Sequence, residues 1–159
     1  MPDPVHATRF APLPGERAQA WGNFLSWDRT YFPTLVGIEL VELRTDYACV
    51  RLPLRPELEQ PAGIVHGGVL ATLIDTVVVP AIGTGYDEAR SFATVTMSVE
   101  YRAPATGDEL LAEGWVDHRG RSMVFCAAEV RAGSGVVAAG KLVFKVSSAP
   151  LPGPEGRSR

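Results

Sequence analysis

The segment spanning residues 61–85, PAGIVHGGVLATLIDTVVVPAIGTG, restricts the fold more than any other part of the chain. From Val69 the large apolar residues arrive in adjacent pairs: Val69/Leu70, Leu73/Ile74, Val77/Val78 and Ala81/Ile82. A repeat of four is a helical stripe. Between the pairs, Ala71/Thr72 and Asp75/Thr76 make a second face that is small and polar. The spacing predicts one helix over roughly Gly67–Gly83, sheathed in protein on nearly all sides. The segment is nearly long enough to cross a bilayer, but Asp75, Pro80 and the strand-rich remainder argue for a soluble, cytoplasmic protein.

Two features of this helix carry chemistry. Asp75 is a carboxylate where a buried helix ordinarily has none, and burying a charge is unfavourable unless it is paired, hydrogen-bonded or used. Gly67-Gly68 open the helix, where free N–H groups and the positive end of the dipole can hold an oxyanion. A hydrogen-bonded structural Asp and a tight packing turn are the plain alternatives. Eight residues separate Gly67 from Asp75, about 12 Å at 1.5 Å per residue. One carbonyl carbon cannot touch both. If both serve one reaction they come from different chains, which points to a two-fold dimer with two shared sites.

The rest of the chain supports one domain. Its 159 residues suffice for a single core, and a net charge of −3 gives no general attraction to nucleic acid. Cys49 and Cys126 lie in apolar strand-like runs and read as buried thiols. His6, His66 and His118 lack metal-ligand spacing, so no metal or cofactor is expected. Residues 1–14, with four prolines, read as a loose N-terminus, residues 15–147 as the domain and 148–159 as a tail. Residues 15–31 predict an amphipathic helix ended by Phe32-Pro33. Strands follow at 35–43 and 47–54, then, after the central helix, from about 93, at 110–117, at 123–131 and at 136–146. Helix, two strands, long helix and four strands describe an α+β layering, an antiparallel sheet of five to six strands around one buried helix.

The residues Gln60 to Gly68 (QPAGIVHGG), Leu73, Asp75 and the run TVTMSVEYRAP from Thr94, with Gly120-Arg121-Ser122, resemble the hotdog-fold acyl-CoA thioesterases. The likeness is greatest to the branch containing the phenylacetate-degradation and 4-hydroxybenzoyl-CoA enzymes. The resemblance implies that Asp75 is the catalytic nucleophile or general base, and that the Gly67 N–H polarises the thioester carbonyl. It implies that Gln60 binds substrate or the hydrolytic water and that Thr94 helps place that water. His66 matches a histidine at the helix start, in a capping or a catalytic role. Gly68 falls at a substrate-binding position, and the turn Arg119-Gly120-Arg121-Ser122, also counted as substrate-binding, falls where such enzymes often contact the nucleotide or pantetheine arm of coenzyme A. The implied partners are a small acyl-CoA substrate and further copies of the chain, as a homodimer or a homotetramer built from dimers, with no nucleic acid and no membrane. Coenzyme A enters only as part of the substrate. A non-catalytic acyl-CoA sensing module on the same scaffold is the competing reading, and a hydratase or dehydratase a more distant one.

Overall fold

The computed structural model describes residues 4–148. Helix α3, Gly67–Gly83, lies against a six-stranded antiparallel sheet. The strands are β1 (Glu39–Arg44), β2 (Tyr47–Pro53), β3 (Ser91–Tyr101), β4 (Glu109–Arg119), β5 (Met123–Ala132) and β6 (Gly135–Ser147), and their order across the sheet is β1-β2-β4-β5-β6-β3. The paired apolar residues of α3 face the sheet: Leu73, Ile74, Val77, Val78, Ala81 and Ile82 are all fully buried. Two strand glycines let the helix come close. A Cβ at Gly114 of β4 would lie 2.7 Å from Val77 Cγ1, and one at Gly140 of β6 would lie 2.6 Å from Ile74 Cγ2, nearer than real Cβ contacts allow. The helix runs through Pro80 and ends at Gly83, where Thr84 N–H bonds the Pro80 carbonyl at 2.9 Å.

Strand β3 is a sheet edge. It pairs with β6 on one side and has no strand on the other among the described residues. The register slips between Thr94 and Thr96, so Val95 bulges. An extra residue reverses the side-to-side alternation. Thr94 therefore faces α3 on the same side as Met97, although the two have opposite parity in the sequence.

The N-terminal third differs from its sequence reading in three places. Helix α1 covers only Gly15–Gly22, and Leu25, at φ 75°, stands in left-handed backbone. Gly22 is a poor helix former, and the chain turns there through Phe24 N–H to Trp21 O at 2.9 Å. Phe32-Pro33 does not end a helix but begins one, α2 (Phe32–Val36), because a proline fits the first helical turn, where no N–H partner is needed. Strand β1 accordingly starts at Glu39, not at residue 35. The loose segment expected over residues 1–14 is packed from about residue 6: Ala7 is buried with Tyr47, Cys49, Leu111 and Trp115 on the outer face of the sheet. There Glu113 is 1% exposed and accepts from Tyr47 Oη at 2.8 Å and His6 N at 2.7 Å. Most of the tail expected over 148–159 lies outside the described residues. No helix among the described residues is long and apolar enough to cross a membrane.

Candidate active site

The small, polar face of α3 is the one the sheet leaves uncovered. Ala71, Thr72, Asp75 and Val79 are half-buried along it while their neighbours are sealed in. Thr94 Oγ1 donates to Asp75 Oδ1 at 2.9 Å. The bond holds one carboxylate oxygen, and Asp75 lines a cavity of about 410 Å³. That cavity is walled by Phe24, Trp27, Phe32 and Pro33 from the N-terminal segment, Thr76 and Val79 from α3, and Met97 from β3. An acid in an aromatic, partly dewatered pocket is a group fit for nucleophilic or base chemistry.

A second constellation sits at the tip of the same helix. His66 is the N-cap, and its Nδ1 accepts from the Gly68 N–H at 2.9 Å. The ring nitrogen satisfies one of the helix's free donors. The Gly67 N–H has no acceptor among the described residues and remains available at the positive helix end. Gly67 and Gln60 line one cavity of about 370 Å³ with Tyr101 and Arg102. The Tyr101 ring lies over Gly67, so that a Cβ at position 67 would be 3.3 Å from Tyr101 Cε1. Sequence reasoning did not single out Tyr101. Its signal is only visible once α3 and β3 are known to run antiparallel, with Thr94 beside Asp75 and Tyr101 beside Gly67.

The ten residues expected at a site thus fall into three groups. Asp75 and Thr94 are together, and Gln60, His66, Gly67 and Gly68 are together at the other end of the helix. Arg119, Gly120, Arg121 and Ser122 join neither; Arg119 ends β4, and the other three form the β4–β5 connection. Arg119 is committed to the fold: it pairs with Asp46, donates to Ile82 O at 3.1 Å and lies 4.3 Å from the Tyr86 ring centroid. Burial works against charge there, yet the hydrogen bonds to Asp46 and Tyr86 outweigh it and raise the guanidinium's affinity for its proton. Gly120 N–H closes the turn on the Met123 carbonyl, the Ser122 carbonyl accepts from Val146 N–H of β6, and Arg121 is exposed. Cys49 and Cys126 are free and buried, and burial pushes both thiols up to about 12, which leaves them inert.

An antiparallel sheet packed on a single long helix, with an acid on the helix's open face, is the hotdog architecture. A sequence profile of the thioesterase superfamily matches residues 62–139, and the chain belongs to that superfamily. A conserved protein of Pseudomonas aeruginosa is 31% identical in sequence and superimposes with a TM-score of 0.70 over 75% of this chain and 95% of its own. The PaaI protein of the Escherichia coli phenylacetic acid degradation operon shares the fold at 18% identity, with a TM-score of 0.75 over 86% of this chain and 96% of its own. A Mycobacterium tuberculosis protein with a provisional esterase name is 39% identical over 46 residues, which is 29% of this chain and only 33% of that relative's length.

Proposed function

We propose that the chain is an acyl-CoA thioesterase working as a homodimer, each of whose two sites takes Asp75 and Thr94 from one subunit and Gly67 and Gln60 from the other. The observation that carries this reading is the division of one helix face into two half-sites about 12 Å apart by rise per residue, with an open sheet edge running beside both. Strand β3 is eleven residues long, carries neither proline nor lysine, and exposes Val95, Met97 and Tyr101. Such an edge invites a second strand. Antiparallel pairing of two β3 strands about a two-fold axis near Met97 sets Thr94 opposite Tyr101 of the partner subunit. Each acid then meets the other chain's helix tip.

In that arrangement the thioester carbonyl oxygen accepts from the Gly67 N–H, which stabilises the charge that develops as the carbon becomes tetrahedral. Asp75, oriented by Thr94, acts in one of two ways. As a base it takes a proton from the water that attacks that carbon, and that proton passes to the CoA sulfur as the carbon–sulfur bond breaks. As a nucleophile it attacks the carbon itself; the thiolate leaves and is protonated from solvent, and a water then hydrolyses the acyl–Asp75 anhydride. Either way a free acid and CoA result. Arg121, in the β4–β5 turn, is free for the nucleotide of CoA, whereas Arg119 supports the turn that holds it. No cofactor is required beyond the CoA of the substrate.

A thiol-release assay over a panel of acyl-CoAs tests the reading. Release by the wild type, lost in Asp75→Asn while the dimer still elutes as a dimer, is the expected result. Full activity in Asp75→Asn overturns the mechanism, and tight acyl-CoA binding without any release turns the protein into a sensing module. Single turnover in oxygen-18 water separates the two roles of Asp75, since only a nucleophilic carboxylate takes up the label.

A further inference from the structure

The bulge at Val95 also decides what the far end of β3 presents to α3. Beyond it, Met97, Val99 and Tyr101 share one side of the strand. Met97 lines the Asp75 cavity, Val99 packs against the core, and Tyr101 lies against the helix tip. Tyr101 is the last residue of β3 and is 56% exposed. Its hydroxyl has no hydrogen-bond partner among the described residues.

The ring is placed closely on Gly67. Measured from the point where a Cβ would stand on Gly67, Tyr101 Cε1 lies at 3.3 Å, Cζ at 3.5 Å and the hydroxyl oxygen at 3.7 Å. That point is about 2.5 Å from the Gly67 nitrogen by covalent geometry. The hydroxyl oxygen therefore lies within about 6 Å of that nitrogen, a gap that one acceptor atom bridges with two hydrogen bonds. Gly67 and Tyr101 line the same cavity of about 370 Å³, together with Gln60, Leu70 and Arg102, and no carboxylate lines it among the described residues. Arg102 is taken up by Glu100, at 3.1 Å. The Gly67 N–H and the Tyr101 O–H are thus two neighbouring donors, neither of which has a protein acceptor.

Resting on the acyl-CoA reading above, we infer that Tyr101 is a further catalytic residue, whose O–H donates to the thioester carbonyl oxygen beside the Gly67 N–H. An oxyanion offers more than one lone pair, and two aimed donors stabilise it better than one. The β3 pairing described above sets Tyr101 opposite Thr94 of the partner subunit, the residue that orients the acid. The hydroxyl then stands where the helix tip of one chain meets the acid of the other. Tyr101 donates a hydrogen bond and transfers no proton, so the steps of the hydrolysis are unchanged.

Tyr101→Phe keeps the ring against Gly67 and deletes only the donor. Steady-state kinetics should show kcat lowered by about 10²-fold with KM little changed. Two CoA analogues that cannot be hydrolysed separate the donor from the packing. One is a butanoyl ketone with a methylene in place of the sulfur, which presents the carbonyl oxygen. The other is the butyl thioether, which has no such oxygen. In titration calorimetry the wild type should prefer the ketone. Tyr101→Phe should lose about fivefold of its affinity for the ketone, the equivalent of one hydrogen bond, and hold the thioether as the wild type does, which also shows that its site is intact. A variant with wild-type turnover, with the wild-type preference for the ketone, or with equal losses toward both analogues overturns the inference. Turnover abolished in Asp75→Asn but untouched in Tyr101→Phe removes the inference and leaves the hydrolase reading standing. A wild type that releases no thiol from any acyl-CoA removes the hydrolase reading, and the ketone preference of the two proteins then decides the role of Tyr101 alone.

Discussion

A mixed dimer decides whether the two half-sites of α3 work across subunits. Asp75→Asn keeps the shape of the side chain and its contact with Thr94 Oγ1, but removes the base or nucleophile. A loss of about 10²–10⁴-fold in kcat is expected. Gly67→Pro removes the N–H at the helix tip with little harm to the helix, because proline is suited to the first helical position. His66 already has φ −63° and ψ 135°, the extended backbone that a following proline demands. Losing this single donor should lower kcat by about 10²–10³-fold. The added carbon presses on Tyr101, whose ring is 3.3 Å from a Cβ at this position. Gly67→Ala is therefore the control: it adds the same carbon, keeps the N–H, and should keep most of the activity. Co-expressed with different tags, one Asp75→Asn chain and one Gly67→Pro chain form a dimer in which one site carries both lesions and the other carries none. That heterodimer should recover about half the wild-type turnover per dimer, against parents that are each nearly inactive. An intact heterodimer as inactive as its parents would refute the shared site, since residues acting within one chain leave a lesion in each site.

Three further perturbations follow from single contacts. Thr94→Val keeps the β-branched shape that suits strand β3 and deletes the 2.9 Å bond to Asp75; kcat should fall by about tenfold, the equivalent of one hydrogen bond, with KM little changed, as steady-state kinetics will show. His66→Ala removes the cap on Gly68 N–H and should lower stability by about 1 kcal/mol in urea unfolding. Glu129 gives the pH dependence. Burial pushes its carboxyl up, but its bonds to His6 and Arg131 outweigh that and hold it below the ordinary value of 4.5. A lowered folded pKa adds stability above the unfolded value, and that stability is lost as pH falls through the folded one. Glu129→Gln should be less stable than wild type at neutral pH, and the gap in urea midpoint should close as the solution is acidified below pH 4.5.

What the sequence revealed and what it hid have physical reasons that differ by residue. Helix α3 was readable to its ends because a buried helix against a sheet must repeat its apolar pairs every turn, and the pattern stops where the glycines begin. Asp75 was readable because a carboxylate breaks that pattern at one position, and its distance from Gly67 follows from helix rise alone. Thr94 was different. Its strand alternates cleanly, and simple alternation makes it a solvent-facing residue opposite in sense to Met97. One bulged residue, Val95, reverses the alternation and turns Thr94 to the acid. Nothing local in the sequence marks a bulge of this kind, so only the resemblance pointed to Thr94 as a neighbour of the acid.

The aromatic wall was hidden for a related reason. Trp21, Phe24 and Trp27 lie close to one helical face if the helix continues, but the chain leaves the helix at Gly22 and takes left-handed backbone at Leu25. Phe24 and Trp27 are thereby released from the α1 surface and laid over α3 and Asp75. A continuous helix would have spent these rings on packing. The irregular turn spends them on a cavity instead, so the break in helical structure between α1 and α2 is what walls the cavity beside Asp75.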